Sequence, residues 1–497
     1  MTSRSSTWTS SLLLQIRTRR RIGSVLLYGG IAVLPQIASG VLAVLYTRAF
    51  SPEEYANYGI FAAVYAAIAI LLDLGLSSGI LRNYYGSGKS ARDYFSASIT
   101  GARYAMAAVL PILALVLYLL WDALGVRFSQ KWAFIPALLA IAYMDRSEDV
   151  LATACRALER HTDYALGRVT HGFSLLIGGY IAVFVLKLGV MGALIGWFGA
   201  ECMAFIVYEI LLRRGSGIAR ARPDWVELRS SLRFGLPLVP DRLAGWARLL
   251  ATRPVLAHAV TAPAVGLFSF ASSLAAVPAL LASAIDLALT PIYYRRREDD
   301  DAEIFNGKIR RFAGVYAAGL APLWVLMIAF NSDVIGLIAG AEYAQASAIC
   351  SVLLCATFIR VQSLFLIRQL QFIRKTWVLP AITIPSAGLA MSLTLVLAGA
   401  YGVMAAAWVL VGIDLVIFFT LALIVHRFEG LHYPILTSAF LIAVVFVCAA
   451  SMATGIMGPP NWASIGYRLI IVGATAAFCT IFWIWPNRVL IQQLSAG

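Results

Sequence analysis

The sequence predicts an all-α integral membrane protein of about fourteen transmembrane helices, on three observations. Of its 497 residues, 61% are apolar or aromatic and only 13% are charged. The apolar residues come in runs of roughly 20, the length of helix that crosses a hydrocarbon core about 30 Å thick. Lys and Arg collect at alternate breaks between the runs. A mean hydropathy of +0.81 excludes an ordinary soluble enzyme and a disordered chain alike.

The runs follow one another with little between them. A basic N-terminus (1–23, with Arg4, Arg17, Arg19, Arg20 and Arg21) precedes the first run, 24–46, which is too long for a signal-peptide core and is expected to stay as a helix. The stretch SPEEYANYG (51–59) turns into 56–81, and Lys89 and Arg92 precede 98–121. Lys131 and Arg156 bracket 132–155; Lys187 closes 164–186, and a tight Gly189 turn opens 190–212. A basic linker, 213–231, leads to 232–258; TAPAVGLFS (261–269) then opens 265–291. After the charged RRREDDDAE (295–303) come 312–331 and 343–367. Arg374 and Lys375 precede 376–398, and the final runs are 402–425, 435–456 and 464–486.

The net charge of +14 is mainly a topology signal. Counted across the breaks, one side holds the N-terminus, Arg82, Lys89 and Arg92, Arg156 and Arg160, the linker arginines, Arg295 to Arg311, Arg368 to Lys375, Arg427 and Arg488. The other side holds Arg48, Arg127, Lys131 and Lys187. The crowded side is expected to be cytoplasmic, with both termini there, and no nucleic-acid partner is needed to account for the charge. NYYGSGKS (83–90) imitates a phosphate-binding loop, but Asn83 stands where its first Gly is required and a helix precedes it. Cys155, Cys202, Cys350, Cys355, Cys448 and Cys479 lie in or beside apolar runs without metal-ligand spacing and read as small hydrophobes. No cofactor or metal is expected.

The chain also repeats itself at a shift of roughly 210 residues. SPEEYANYG aligns with TAPAVGLFS, Arg160-His161-Thr162 with Arg374-Lys375-Thr376, and Gly189-Val190-Met191 with Gly402-Val403-Met404. This predicts a six-helix bundle at 24–212, a second at 232–425 in the same orientation, related by a pseudo-twofold along the membrane normal, and an extra helix pair at 435–486.

YTRAFSPEEYANYGIFAAVYAAIAILLDLGLSSGILR (46–82) resembles the first-to-second-helix signature of polysaccharide and oligosaccharide flippases of the multidrug/oligosaccharidyl-lipid/polysaccharide exporter superfamily. CRALERHTDYALGRV (155–169), LKLGVMGALIGW (186–197) and the stretch 231–277 are similar to the family's later blocks. The resemblance implies alternating access in a V-shaped pair of bundles that carries a polyprenyl-diphosphate-linked oligosaccharide outward across a bacterial inner membrane. It implies a role in exopolysaccharide or O-antigen synthesis, with membrane lipid around the protein and a polymerase and chain-length machinery as expected partners. It also implies that the extra pair forms a groove for the lipid tail.

Charges inside a bilayer are costly, about 2.5–3.5 kcal/mol each on insertion scales, and so mark candidate sites. On 232–258, a continuous helix would place Arg242 and Arg253 on one face, with Asp241 and Arg248 on another, a ladder of cations along the path. Guanidinium groups suit a diphosphate because they bind phosphate oxygens bidentately. Arg242, Arg248, Arg253, Arg360, Arg146 and Arg48 are the candidate substrate-binding residues, Arg48 at the outer mouth. Arg103, Arg168 and Arg468 lie near run ends and are expected to snorkel to the membrane surface. Asp145, Glu148 and Asp149 share one helix face and, with Asp73, are candidates for proton coupling. Asp73, Glu201, Asp286 and Asp414 read as partners of the arginines, and His171 and His258 as satisfied interior histidines. Export of two negative charges across a potential negative inside is favoured by about 4.6 kcal/mol per 100 mV.

Four alternatives are weighed against this reading. A lipid II flippase shares the diphosphate chemistry. A polysaccharide polymerase needs larger external loops than these runs leave, and a multidrug cation exporter needs an acid-dominated cavity. A purely structural scaffold would need none of the buried charges.

Overall fold

A computed structural model describes residue 31 and residues 34–84, 88–124, 131–219, 221–283, 285–286, 302–372, 375, 377–429, 433–454 and 462–487. The basic N-terminus, Arg127, Arg295 to Arg297, Arg374 and Arg488 lie outside the described residues.

The described residues are nearly all helical, with no strand among them. The first half comprises α1 (Leu34–Leu45), α2 (Pro52–Asp73), α3 (Leu76–Tyr84), α4 (Ala91–Leu120), α5 (Lys131–Ala157), α6 (His161–Tyr180) and α7 (Gly189–Ser216). A linker helix, α8 (Trp225–Gly235), leads to α9 (Val239–Leu249) and α10 (Thr252–Ala259). The rest comprises α11 (Ala262–Ala275), α12 (Ala302–Ile338), α13 (Ala346–Phe372), α14 (Val378–Tyr401), α15 (Val403–Glu429), α16 (Ile435–Ala453) and α17 (Trp462–Cys479).

Eleven of these helices, counted with their continuations, are long and apolar enough to cross a membrane. The other three predicted runs also hold helix and fall short for separate reasons. In 24–46 the described helix, α1, has 12 residues. Helix α5 carries Asp145, Arg146, Glu148 and Asp149 in its middle. The run 232–258 is broken into pieces.

The internal repeat is visible in the packing. In the first half α1 packs on α6, α6 on α7, α7 on α5, and α5 on both α2 and α4. In the second half α9 and α10 pack on α14, α14 on α15, α15 on α13, and α13 on both α11 and α12. The extra pair α16 and α17 lies against α12, with α16 also on α13.

Helices in lipid gain little from burying apolar surface against one another, so their contacts rely on close backbone approach. The seam between the halves shows this at both ends. Where α2 crosses α11, a Cβ on Gly266 would overlap the Pro52 carbonyl and one on Gly59 would overlap Ser269. Where α3 meets α8, Gly75 abuts Gly235 and Gly79 abuts Ser231. Gly75 also has φ +70°, the left-handed turn that separates α2 from α3. Arg82 lies over the Phe234 ring at 4.3 Å, and Lys89 pairs with Asp224 at 2.7 Å and Glu227 at 3.1 Å, tying α8 down. At the opposite end, Arg48 donates to the Leu337 and Ile338 carbonyls, each at 3.1 Å, and the Tyr343 hydroxyl donates to the Phe50 carbonyl at 2.8 Å.

Arg103, Arg168 and Arg468 do not snorkel. Arg103 pairs with Glu209 at 2.7 Å, Arg168 approaches Glu148 at 3.7 Å, and Arg468, fully buried, pairs with Asp333 at 2.6 Å. A carboxylate within reach neutralises a guanidinium where it stands, which removes the need to reach water.

Candidate functional site: two adjoining cavities of opposite charge

Helices α9 and α10 are where the expected ladder changes. Pro254 has no N–H to offer the Leu250 carbonyl, so Arg253 N–H donates to it instead at 3.1 Å, and the Ala251 N–H reaches back to Trp246 at 3.3 Å. The helix restarts at Thr252, and the phase that would put Arg242 and Arg253 on one face is lost.

The three arginines therefore go to different places. Arg242 turns to the first half, donating to Asp73 at 2.7 Å and to Ser78 at 3.0 Å. Asp241, beside it, accepts from Thr383 at 3.0 Å. Arg248 donates to one oxygen of Asp414, and Arg360 on α13 donates to the other at 2.9 Å. Asp414 is 2% exposed, so two cations share one buried anion and leave a net positive charge. Arg253 is buried against α2, its Nη1 donating to the Gly59 carbonyl at 3.3 Å.

A cavity of about 400 Å³ lies between the halves. Among the described residues that line it, Arg253 and Arg360 are the only charged ones, and Ser269, Ser272, Ser273 and Thr357 add hydroxyl groups. A second cavity, about 370 Å³, lies within the first half and shares Gln36, Ser39 and Tyr58 with the first. Its lining holds Asp145, Glu148, Asp149 and Glu201 against Arg146 and Arg168.

In this acidic cavity Asp145 accepts from Arg146 Nε at 2.8 Å and from the Tyr65 hydroxyl. Asp149 stands 3.9 Å from Arg146 and 3.7 Å from Arg156. The Ser77 hydroxyl lies 2.8 Å from both Asp73 and Asp149, and so joins the Arg242 pair to this cavity. Arg146 thus serves the acidic cluster, while Arg48 sits at the seam's far end, outside both linings. The structure brings Arg248, Arg253 and Arg360 to one region and Asp73, Asp145, Glu148 and Asp149 to another.

Three of the four single acids do meet arginines: Asp73 with Arg242, Asp286 with Arg368, and Asp414 with Arg248 and Arg360. Glu201 instead accepts from Trp197 at 3.0 Å and lies 3.4 Å from His171. From sequence, Glu201 reads as an arginine's partner and His171 as a satisfied interior histidine, because their meeting joins α7 to α6 and no local spacing signals it.

The fold is that of several solved transporters. A lipid II flippase MurJ in an inward closed conformation is similar with a TM-score of 0.69 at 12% identity, covering 94% of this chain and 99% of its own. An inward-facing multidrug resistance MATE family transporter of the MOP superfamily gives 0.66 at 16% identity, covering 82% and 98%. An outward-facing MATE transporter structure gives 0.56 at 15%, covering 82% and 95%. A comparison with curated proteins finds no match. The sequence pattern of the family described as polysaccharide biosynthesis protein matches residues 23–297, more than half of the chain. With that match over more than half of its length, the chain belongs to the polysaccharide biosynthesis protein family.

Proposed function

We propose that this protein flips a polyprenyl-diphosphate-linked oligosaccharide from the cytoplasmic to the outer leaflet of a bacterial inner membrane, for exopolysaccharide or O-antigen synthesis. The observation that carries this reading is the cavity between the halves, whose only lining charges among the described residues are Arg253 and Arg360. Two guanidinium groups match the roughly two negative charges of a diphosphate, and in a water-poor site each charge-assisted hydrogen bond is stronger than in water. The serine and threonine hydroxyls beside them suit the first sugar. Arg248 fixes Asp414 and thereby holds Arg360 in place.

In this reading the basic loop ends face the cytoplasm, as do both termini. The membrane potential supplies the direction of transport, and the arginines lower the barrier by replacing the water that the diphosphate leaves. A polymerase and chain-length machinery would act on the exported product.

The test is flipping of a lipid-linked oligosaccharide in proteoliposomes containing Arg253→Gln or Arg360→Gln. Each is expected to lose most of the activity at normal expression and fold. Normal flipping in both would remove the diphosphate assignment.

A second reading, lipid II as cargo, draws on the likeness to MurJ, which extends over nearly the whole of both chains. Restoring growth to cells depleted of their own lipid II flippase would favour it. Failure there, with flipping of an oligosaccharide carrier intact, favours the first.

A further inference from the structure

The acidic cavity holds a group of side chains that the flipping of a diphosphate does not use. Glu148 on α5, His171 on α6 and Glu201 on α7 each turn one donor atom inward, and these atoms all lie within 4.8 Å of one another. Their residues are 1%, 6% and 1% exposed. Among the described residues, Glu148 Oε1, His171 Nδ1 and Glu201 Oε2 are buried without a hydrogen-bond partner.

We propose that Glu148, His171 and Glu201 form a binding site for one divalent first-row transition-metal ion. Two carboxylates and an imidazole are a set that zinc, manganese, iron and cobalt accept, whereas magnesium and calcium take oxygen ligands. The charges facing the site agree. From α5 come Asp145, Arg146, Glu148 and Asp149, from α6 Arg168 and His171, from α7 Glu201, from α2 Tyr58 and Tyr65, and from the turn after α1 Tyr46. That is four carboxylates against two guanidiniums, with Arg156 touching Asp149 from the exposed end of α5.

Compensation is uneven. Asp145 and Asp149 are held by Arg146, Tyr65, Ser77 and Arg156, and Glu148 has Arg168 at 3.7 Å, beyond hydrogen-bond reach. Glu201 pairs with no Lys or Arg among the described residues; its partners are the Trp197 indole and the His171 imidazole. A buried carboxylate left so is met either by a proton or by a cation beside it, and three inward-turned donor atoms suit the cation. The cavity of about 370 Å³ has room for an ion, and it shares Gln36, Ser39 and Tyr58 with the cavity between the halves.

This proposal rests on the acidic cavity alone, so it stands or falls separately from the cargo. The experiment uses the full-length protein in detergent, stripped with a chelator and titrated with Co²⁺ and Mn²⁺. One equivalent is expected to bind. Cobalt should give a visible ligand-field spectrum, and bound manganese a nitrogen modulation in its electron spin echo that shows imidazole ligation. Trp197, which donates to Glu201 at 3.0 Å, should be quenched in step with binding. Glu201→Gln and His171→Asn should each weaken binding at least tenfold, and His171→Asn should abolish the nitrogen signal. No stoichiometric binding by the wild type would overturn the proposal, and so would an adventitious ion only, seen as binding unchanged in both variants. If a variant fails to fold, the wild-type nitrogen signal still decides, since its absence from the bound ion excludes His171.

Discussion

Arg242 reaches from the second half of the chain to Asp73 in the first, Nη1 donating to Oδ2 at 2.7 Å. Asp73 is 2% exposed while the Arg242 side chain is 38% exposed, so the two ends of this pair sit in different dielectrics. Removing the arginine strands a buried carboxylate; removing the carboxylate strands a cation already half in water. Arg242→Gln should therefore lower stability by about 1–3 kcal/mol and Asp73→Asn by less. The double variant should recover part of the Arg242→Gln loss, which a thermal-unfolding cycle in detergent will measure.

The seam predicts a contrast between two glycines. Ala at Gly266 would push α2 away from α11 at Pro52, and overpacking of this kind costs about 1–3 kcal/mol. Ala at Gly319, inside α12 with nothing within 4 Å of the added methyl, should be neutral or slightly stabilising. Equal melting temperatures for both variants would mean that the α2 and α11 backbones do not meet as described.

At the far end of the seam, Arg48 and Tyr343 hold backbone carbonyls of the opposite half. Ser269, between α2 and α11, is fully buried. A Ser269→Cys reporter should react slowly with a water-soluble thiol reagent, and several-fold faster once Arg48→Gln and Tyr343→Phe are added. An unchanged rate would show that these two contacts do not restrain the seam.

The tie between Lys89 and Asp224 makes a pH prediction outside the membrane. The hydrogen bond from Lys89 holds Asp224 below its ordinary 3.8, and the same bond raises Lys89 above 10.5. A depressed carboxylate stabilises the fold above its unfolded value and loses that contribution as pH falls through the lower folded one. A raised amine stabilises below its unfolded value and loses the contribution as pH rises through the higher folded one. The contribution of this tie should thus be level between roughly pH 4 and 10 and fall away on both sides. Asp224 also caps α8, accepting from Val226 N–H at 3.0 Å and Glu227 N–H at 3.3 Å. Asp224→Asn should keep the cap but lose the acid limb, whereas Asp224→Ala should lose both, at about 1 kcal/mol for the cap.

How much of this was legible depended on whether neighbours were close in sequence. Apolar runs between charged breaks placed the helices because the length needed to cross a bilayer and the cost of charge within it act locally. The repeat was legible for the same reason, since Gly189 and Gly402 each mark a turn by themselves. The orientation of Arg253 relative to Arg242 was not, because one missing N–H at Pro254 resets the helix. Nor was the partnership of Arg168 with Glu148, or of Arg248 and Arg360 with Asp414, since these join different helices whose rotation is set by packing. The same holds for the meeting of Glu201 on α7 with His171 on α6.

The Ser77 hydroxyl, equidistant from Asp73 and Asp149, owns a single hydrogen atom. It can satisfy one carboxylate at a time, so the two are rivals for it. While Arg242 holds Asp73, that acid needs the hydrogen less and Asp149 can take it. Without Arg242, Asp73 would be the needier acid and the acidic cavity would lose a donor. News of the seam can therefore reach the cavity by rotation about one C–O bond, with no helix having to move.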